Sequence, residues 1–332
     1  MSEDVGTPFR HGAGRPAGYG ELDRYSRIVV DEALRRGIAV ELLDPSHGEM
    51  VLTFDGVSIT TLESLSERTS AVAFRRCHDK LHTRRVLERA GLRLPAGRAA
   101  TFDDGDVAFL ERWKDLVVKP TRGDGGDGVT VGVVDHAGLS AALDTARSVY
   151  TDVLLEQRCE GEDLRIVVID DQVVAAAVRR PPAVTGDGRR TVSELIEEFS
   201  RARADATDGA AAVPLDDTTL EAVRSHGYEL ESVLEPGAEL VVRRTANLHT
   251  GGTIHDVTAD LHPELAAVAC RAARAIRIPV LGLDLAVEAV DGPDYVVIEA
   301  NEQPGLANHE PQPTAERFID LLFPATASPR AR

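Results

Sequence analysis

The stretch from Pro279 to Glu310, PVLGLDLAVEAVDGPDYVVIEANEQPGLANHE, decides how this chain folds. Two apolar runs flank Asp291-Gly292-Pro293, so the pattern predicts two strands joined by a turn. Each run carries one acid among apolar neighbours: Asp284 in Leu-Gly-Leu-Asp-Leu-Ala-Val and Glu299 in Val-Val-Ile-Glu-Ala-Asn. An ionised carboxylate in such surroundings is costly to bury unless a cation compensates it. Asn301 lies two residues beyond Glu299, and on a strand that spacing puts both side chains on one face. Two carboxylates and an amide oxygen are hard ligands of the kind that suits Mg²⁺. The same acids would also serve as the solvent face of amphipathic strands, so the rest of the chain has to decide.

A second stretch, Asp115 to Val134 (DLVVKPTRGDGGDGVTVGVV), places Lys119 at the end of a strand. Gly123, Gly125, Gly126 and Gly128 follow, and then a second strand from Val129. A glycine-rich loop between antiparallel strands lets backbone N–H groups approach phosphates closely. It is not a P-loop, because GK[ST] is missing and the loop runs into a strand instead of a helix. A plain hairpin needs fewer glycines. Lys80, in a helix expected from Cys77 to Gly91, is by itself an ordinary surface lysine.

The chain has 332 residues, 43% of them hydrophobic, enough for two or three packed domains. Its net charge of −18 argues against nucleic-acid or acidic-membrane partners, so positive groups for an anionic ligand must be concentrated locally. Cys77, Cys159 and Cys270 form no CxxC pair and suit a reducing, cytoplasmic setting. No apolar run has membrane-spanning length.

In chain order, residues 1–20 are polar and Gly-rich and are expected to be a disordered tail. Residues 21–71 predict a small α/β lobe, with a helix over 21–37, a strand over 39–43 and a hairpin turning at Asp55-Gly56. Nothing in that lobe points to catalysis, and a packing role is at least as good a reading. A helix over 136–149 and strands over 153–157, 164–170 and 172–178 follow. Thr191 and Glu194 form a capping box that opens a helix. Residues 201–209 read as mobile, 220–232 as a short helix, and 239–244 as a strand ending in Arg243-Arg244. Next comes a second glycine-bearing loop, Asn247 to Thr253. Helices over 262–276 and 314–323 complete the pattern, and 325–332 is expected to be a tail.

Five motifs now stand in one order: Asp79-Lys80, the VVKP strand with its glycine loop, LLEQ…GEDLR (Leu154 to Arg165), GLDL (Gly282 to Leu285) and EAN (Glu299 to Asn301). Together they resemble the ATP-grasp superfamily of carboxylate–amine ligases over about 72–324, and this consistency is far more specific than any one motif. Arg179 to Ile196 resembles the ATP-grasp module of cyanophycin synthetase and of the fused glutamate–cysteine ligase/glutathione synthetase. Arg243 to Glu264, with the segment after Asn301, looks most like N-acetylglutaminylglutamine synthetase, although the acetyltransferase domain is missing and the N-terminal lobe is much shorter.

The resemblance implies an α/β (α+β) ATP-grasp fold, two α+β lobes holding ATP between antiparallel sheets, preceded by the small α/β lobe. Lobe 1 would span 72–155 and lobe 2 would span 156–324, with an insertion at about 183–240. It also implies an ADP-forming ligase acting through an acyl phosphate, or else a phosphotransferase that stops before ligation, or a non-catalytic nucleotide-binding protein. Lys80, Lys119, Gly125, Gly126 and Gly128 would hold ATP phosphates. Glu156 and Gln157 would lie at adenine and Asp163 at ribose. Asp284, Glu299 and Asn301 would hold two Mg²⁺ ions, for which Mn²⁺ can substitute. Arg244, Asn247 and His309 would act at the reacting centre. By resemblance Gly251 and Gly252 lie at the acyl phosphate, and on electrostatic grounds, since arginine forks match carboxylates and Asn308 follows the Pro304-Gly305 turn, Arg180, His249 and Asn308 are expected to bind the substrates, a small-molecule carboxylate and an amine. His309 would orient the amine or take its proton, since an unperturbed imidazole titrates near neutrality. No nucleic-acid or membrane partner is implied, and a homo-oligomer is left open.

Overall fold

The computed structural model describes residues 14–327 except 124, 208 and 210. The expected tails therefore lie mostly outside the described residues. Within the described part, Tyr19 donates its hydroxyl to Asp31 at 2.8 Å and packs against the core, so order begins before residue 21.

The N-terminal lobe is α1 (Arg24–Arg35) and an antiparallel meander of β1 (Ala39–Asp44), β2 (Glu49–Phe54), β3 (Val57–Leu62) and β4 (Leu65–Ser66). Asp23 caps α1 by accepting the Ser26 N–H. The Asp55-Gly56 turn has positive φ at both residues, as a two-residue hairpin requires. The single helix expected over 77–91 is two helices, α2 (Ala71–His78) and α3 (Lys80–Arg89). Asp79 between them is extended, and its carboxylate accepts the His82 N–H, so the acid starts a new helix at Lys80 instead of continuing the old one.

The first sheet holds β5 (Gly97–Ala99), β6 (Leu116–Pro120), β7 (Thr130–Val133) and β8 (Val153–Gln157) in the order β5-β8-β6-β7. It is covered by α4 (Asp104–Trp113) and α5 (His136–Val149) over a core that includes Leu116, Val118, Leu139 and Leu155. The second sheet is built from β9 (Glu162–Ile169) and β10 (Gln172–Arg180). An excursion of β11 (Ala183–Thr185), α6 (Val192–Ala206), α7 (Asp217–Ser225) and β12 (Glu239–Val241) then folds over its own apolar cluster. The chain returns through β13 (Thr253–Asp256), α8 (Pro263–Ile276), β14 (Val280–Val287) and β15 (Tyr295–Asn301), and ends with α9 (Thr314–Leu322). The sheet order is β13-β10-β9-β14-β15, all antiparallel. Two local readings are corrected. α6 runs through most of the segment expected to be mobile, and α7 stops at Ser225 because the chain turns left-handed at Gly227.

Alternation along the second sheet decides everything around it. Leu164, Ile166, Leu281, Leu283 and Leu285 face one core, shared with α8 and with Cys77 and Leu87 of α2 and α3. On the opposite face Val167, Ile169 and Val280 pack against the N-terminal lobe and α9. Further along that same face the strands switch to Asp163, Arg165, Arg179 and Asp284. A β-bulge in β15 completes the arrangement. Leu285 pairs with Val297 but Asp284 pairs with Glu299, so Ile298 is the extra residue. Without it Val297 and Glu299 would share a face. With it Val297 stays in the core while Glu299 and Asn301 join Asp284.

Phe318 of α9 is fully buried where the N-terminal lobe, α9 and the second sheet meet. Phe318→Ala is expected to cost about 3–5 kcal/mol in urea unfolding. A loss below about 1 kcal/mol would mean that α9 is not part of this core.

Candidate active site

Short contacts run from the first sheet through α3 to the edge of the second sheet. Lys119, at the end of β6, is 6% exposed and places Nζ 2.6 Å from Glu156 of β8. Arg84 of α3 holds the other Glu156 oxygen at 2.9 Å and donates to the Pro95 carbonyl. Burial lowers the affinity of Lys119 for its proton, but the charges of Glu156 and Glu299 outweigh that and raise its pKa. Lys80 opens α3 because Asp79 ends α2, and its Nζ donates to the Gly123 carbonyl at 2.9 Å and stands 3.0 Å from Glu299. Lys80, Lys119, Glu156 and Glu299 thus line one small cavity, walled by Leu154 and Val297.

Next to it lies a buried ionic cluster. Asp284 is 4% exposed. Arg165 holds both its oxygens, the Nη2 bond being 3.0 Å, and Arg179 Nη2 is also 3.0 Å away. Burial would raise the Asp284 pKa, but the two guanidinium groups hold it below the usual carboxylate range. Arg179 also reaches Asp163 at 2.7 Å. Burial raises the Asp163 pKa, Arg179 works against this and Asp284 adds to it. Asn301 Nδ2 lies 3.4 Å from Asp284. Gly282 is tightly enclosed here: a Cβ would sit 3.0 Å from the Pro304 side chain and 3.1 Å from the Arg165 guanidinium, so those side chains would have to give way slightly.

The glycine loop is gripped from both lobes. Asn247 Nδ2 donates to the Gly125 carbonyl at 2.6 Å, and its Oδ1 accepts the His249 N–H. Gly126 closes a turn with Val129 at 3.1 Å, and Gly128 has a positive φ and lies tight against α5. Arg244 is exposed and reaches toward Gly132 of β7, where an added Cβ would lie 3.3 Å from its Nη1. Gly251 and Gly252 are buried. A Cβ on Gly252 would come within 2.6 Å of the Ala246 carbonyl, which fixes the loop that carries Asn247. Gln157 ends β8, with its backbone N–H donated to Ala96 at 2.8 Å.

The structure changes several residue-level readings. Strand alternation puts Arg179, not Arg180, on the face of Asp284, and Arg180 is exposed. Glu156, expected beside adenine, is buried and doubly ion-paired to Arg84 and Lys119. His309 is 5% exposed. Burial first, then Arg165 and Arg179, lower its pKa to about 4. It is therefore neutral at pH 7, and the expected near-neutral titration does not hold. Asn308 is engaged by the Tyr25 hydroxyl at 3.3 Å, so the N-terminal lobe touches the site. Arg84, Arg165 and Arg179 were not singled out from sequence. Spacing offers a signal for one of them, since Arg165 is two residues from Asp163, whereas Arg179 is placed only by its register with Asp163.

Two facing antiparallel sheets, with a glycine-rich hairpin folded against the second, are an ATP-grasp arrangement. Comparison with known proteins agrees: residues 77–192 match the RimK-like ATP-grasp domain, and the chain contains a domain of that family. It is 33% identical over 321 residues to cyanophycin synthetase of Nostoc sp., covering 92% of this chain and 35% of that protein. It is 25% identical over 328 residues to the glutathione biosynthesis bifunctional protein GshAB of Clostridium perfringens, covering 92% of this chain and 42% of that one. The chain thus spans roughly a third to two fifths of the length of these relatives. The crystal structure of a bifunctional glutathione synthetase from Pasteurella multocida superposes with a TM-score of 0.67 at 22% identity, over 92% of this chain and 44% of that one, which shows the shared fold. Among the described residues no helix is long and apolar enough to cross a membrane.

The His309 pKa fixes a pH dependence. The ordinary imidazole value is 6.5 and the folded value is about 4. Between these the unfolded chain takes up a proton that the native state refuses. The stability contribution is therefore complete above pH 6.5 and is lost as pH falls toward 4, by roughly 3 kcal/mol at most. Urea unfolding of wild type and His309→Gln from pH 4 to 8 is expected to show a steeper acid slope in wild type. Parallel slopes would contradict the burial of a neutral imidazole.

Proposed function

We propose that this chain is an ATP-dependent carboxylate–amine ligase that forms an acyl phosphate and releases ADP and phosphate, with amino-acid or small-peptide substrates. The observation that carries this reading is the shared cavity in which Lys80 and Lys119 meet Glu299, beside Asp284 and Asn301. It joins phosphate-binding cations to hard oxygen donors across two lobes.

The donor set fits a divalent metal such as Mg²⁺. Asp284 and Glu299 are register partners, and Asn301 reaches Asp284, so three oxygen-bearing side chains converge. Among the described residues no group of three His, Cys, Asp or Glu side chains forms a closed metal site. Two carboxylates and an amide leave the remaining coordination positions to water and phosphate, the usual habit of Mg²⁺. Asp284, Glu299 and Asn301 would hold the ion or ions, which when bound neutralise charge on the transferring phosphoryl group.

The rest follows from this chain's own groups. A carboxylate is a poor acylating agent, and phosphorylation gives it a leaving group. Lys80 and Lys119 hold the phosphates and offset charge as the γ-phosphoryl moves. Gly125, Gly126 and Gly128 close over them, and Asn247 keeps that loop in place. Glu156 and Gln157 border the adenine end, and Asp163 the ribose. Arg244, with Gly251, Gly252 and His249, faces the acyl phosphate. Arg179 is a better candidate than Arg180 for the donor carboxylate, because a guanidinium fork on the site face matches it. The amine then attacks the acyl carbon, the C–N bond forms, and phosphate leaves. No protein nucleophile is needed, which agrees with a Cys77 thiol whose pKa burial and Glu302 push well up.

ADP release is to be screened over N-acyl amino acids paired with free amino acids, with mass spectrometry of products. An amide that appears only when acid, amine and ATP are all present is the expected result. ADP release that ignores the amine would instead support a phosphotransferase. In the same assay Glu299→Gln and Asp284→Asn should lower turnover by about 100-fold or more. Lys119→Met should raise the KM for ATP and lower kcat. Near wild-type turnover in the Glu299 or Asp284 variant at saturating Mg²⁺ would remove the metal assignment.

A further inference from the structure

Directly after the strand carrying Glu299 and Asn301, residues 304–310 cross from the second sheet to the N-terminal lobe, and that lobe holds them at nearly every step. Ser64 Oγ donates to the Pro304 carbonyl at 2.8 Å. The Tyr25 ring lies so close to Gly305 that a Cβ there would come within 2.8 Å of it. Arg24 Nη2 donates to the Ala307 carbonyl at 2.7 Å and pairs with Glu310 at 3.4 Å. The Tyr25 hydroxyl donates to Asn308 at 3.3 Å. Ser64 is buried, Tyr25 and Arg24 are partly so, and the Arg24–Glu310 pair lies at the rim.

The segment so held delivers His309, 5% exposed, into the neighbourhood of Arg165, Arg179, Asp256 and Asp284. Its Nδ1 is buried and has no hydrogen-bond partner among the described residues. Buried polar atoms in folded proteins are nearly always paired. An unpaired ring nitrogen next to the ionic cluster, on a loop clamped from another lobe, is the mark of a position completed by a ligand.

Resting on the ligase reading above, we propose that the N-terminal lobe frames the amine half of the site. Arg24, Tyr25 and Ser64 are positioning residues that hold 304–310, and His309 makes a hydrogen bond to the amine of the incoming amino acid or small peptide. The donor half, built from Lys80, Lys119, Asp284 and Glu299, does not depend on this clamp. Orientation of the attacking amine does, and an error near 1 Å in such a position is enough to slow attack about 100-fold.

The test separates the two halves with hydroxylamine. This small nucleophile attacks the acyl carbon, forms a C–N bond, loses a proton to solvent and expels phosphate, giving a hydroxamate without needing an oriented acceptor. Arg24→Met, Arg24→Lys and Tyr25→Phe are to be compared with wild type, using the donor and amino-acid acceptor that give the strongest ADP release. The expected result is a KM for the acceptor raised about tenfold in Arg24→Met and Tyr25→Phe. Arg24→Lys should recover part of this, while the KM for ATP and the hydroxamate rate stay within about twofold of wild type. Amide hydrogen exchange over 304–310 should quicken in Arg24→Met with the five-stranded sheet still protected. The proposal is overturned if acceptor KM is unchanged, or if hydroxamate formation falls in parallel with amide formation, as a merely structural role would require. Failure of wild type to give any hydroxamate would overturn the ligase reading together with this one. Hydroxamate with an unchanged acceptor KM removes this one alone.

Discussion

Asp284 is a carboxylate buried in the middle of a five-stranded sheet, and the chain is arranged to make that tolerable. Its neighbours in β14 are apolar and face a core, so no water from that side can solvate it. Arg165 comes from β9, next to it in register, and Arg179 from β10, one strand further. Asp163 then balances the second arginine. Two acids and two guanidinium groups on one face make a cluster that is neutral as a whole. Buried ion pairs of this kind add little net stability compared with an apolar core, because desolvation consumes most of the attraction. Their presence here argues for a site and not for a scaffold.

The same face shows why the fold has three lobes. Toward Val167, Ile169 and Val280 it is apolar and needs a cover, which α9 and the N-terminal lobe supply. Toward Asp284 it is ionic, and at its edge strand Glu299 meets Lys80 of α3, in a cavity that Arg84 and Lys119 also line. Each lobe covers the part of the sheet that matches its chemistry. The break at Asp79 belongs to the same logic. A continuous helix would rotate Lys80 by the ordinary 100° step from its predecessor. Restarting at Asp79 instead lets the Lys80 backbone N–H meet the Thr121 carbonyl at 2.9 Å and its side chain meet Glu299.

Most elements were legible because their signals are local. The capping box at Thr191 and Glu194, the Asp55-Gly56 hairpin and the alternation in GLDL need only a few adjacent residues to be read. The lysines and strand acids of the cavity were legible too, through motif order. What escaped depends on register or on distant partners. Arg179 and Arg180 are adjacent in sequence, and only the pairing with Asp163 tells which of them faces inward. The Ile298 bulge leaves no mark in VVIEAN, since an apolar run is compatible with either parity. Helix α6 overran the stretch expected to be mobile because Arg203, in its last turn, donates to Gly252, 49 residues away. The His309 pKa likewise depends on burial by residues far along the chain.

The charge of the site follows from these contacts and bears on how a nucleotide would enter. Lys80, Lys119, Arg84, Arg165 and Arg179 face Glu156, Glu299, Asp163 and Asp284, five cations against four carboxylates, with His309 neutral. A surface that nearly cancels itself does not by its local charge attract a free polyphosphate, and the net charge of −18 repels one. On the proposed reading, divalent cations held by Asp284 and Glu299 would supply positive charge beside the nucleotide's phosphates. They would bring the positive charge that Asp284 and Glu299 can accept, at which point Arg165, Arg179 and Lys80 are no longer needed to neutralise those acids. A cluster that is balanced without ligand and rebalanced by a metal-bound nucleotide keeps every buried charge compensated at each stage, which a site built only of cations could not do in a protein this acidic.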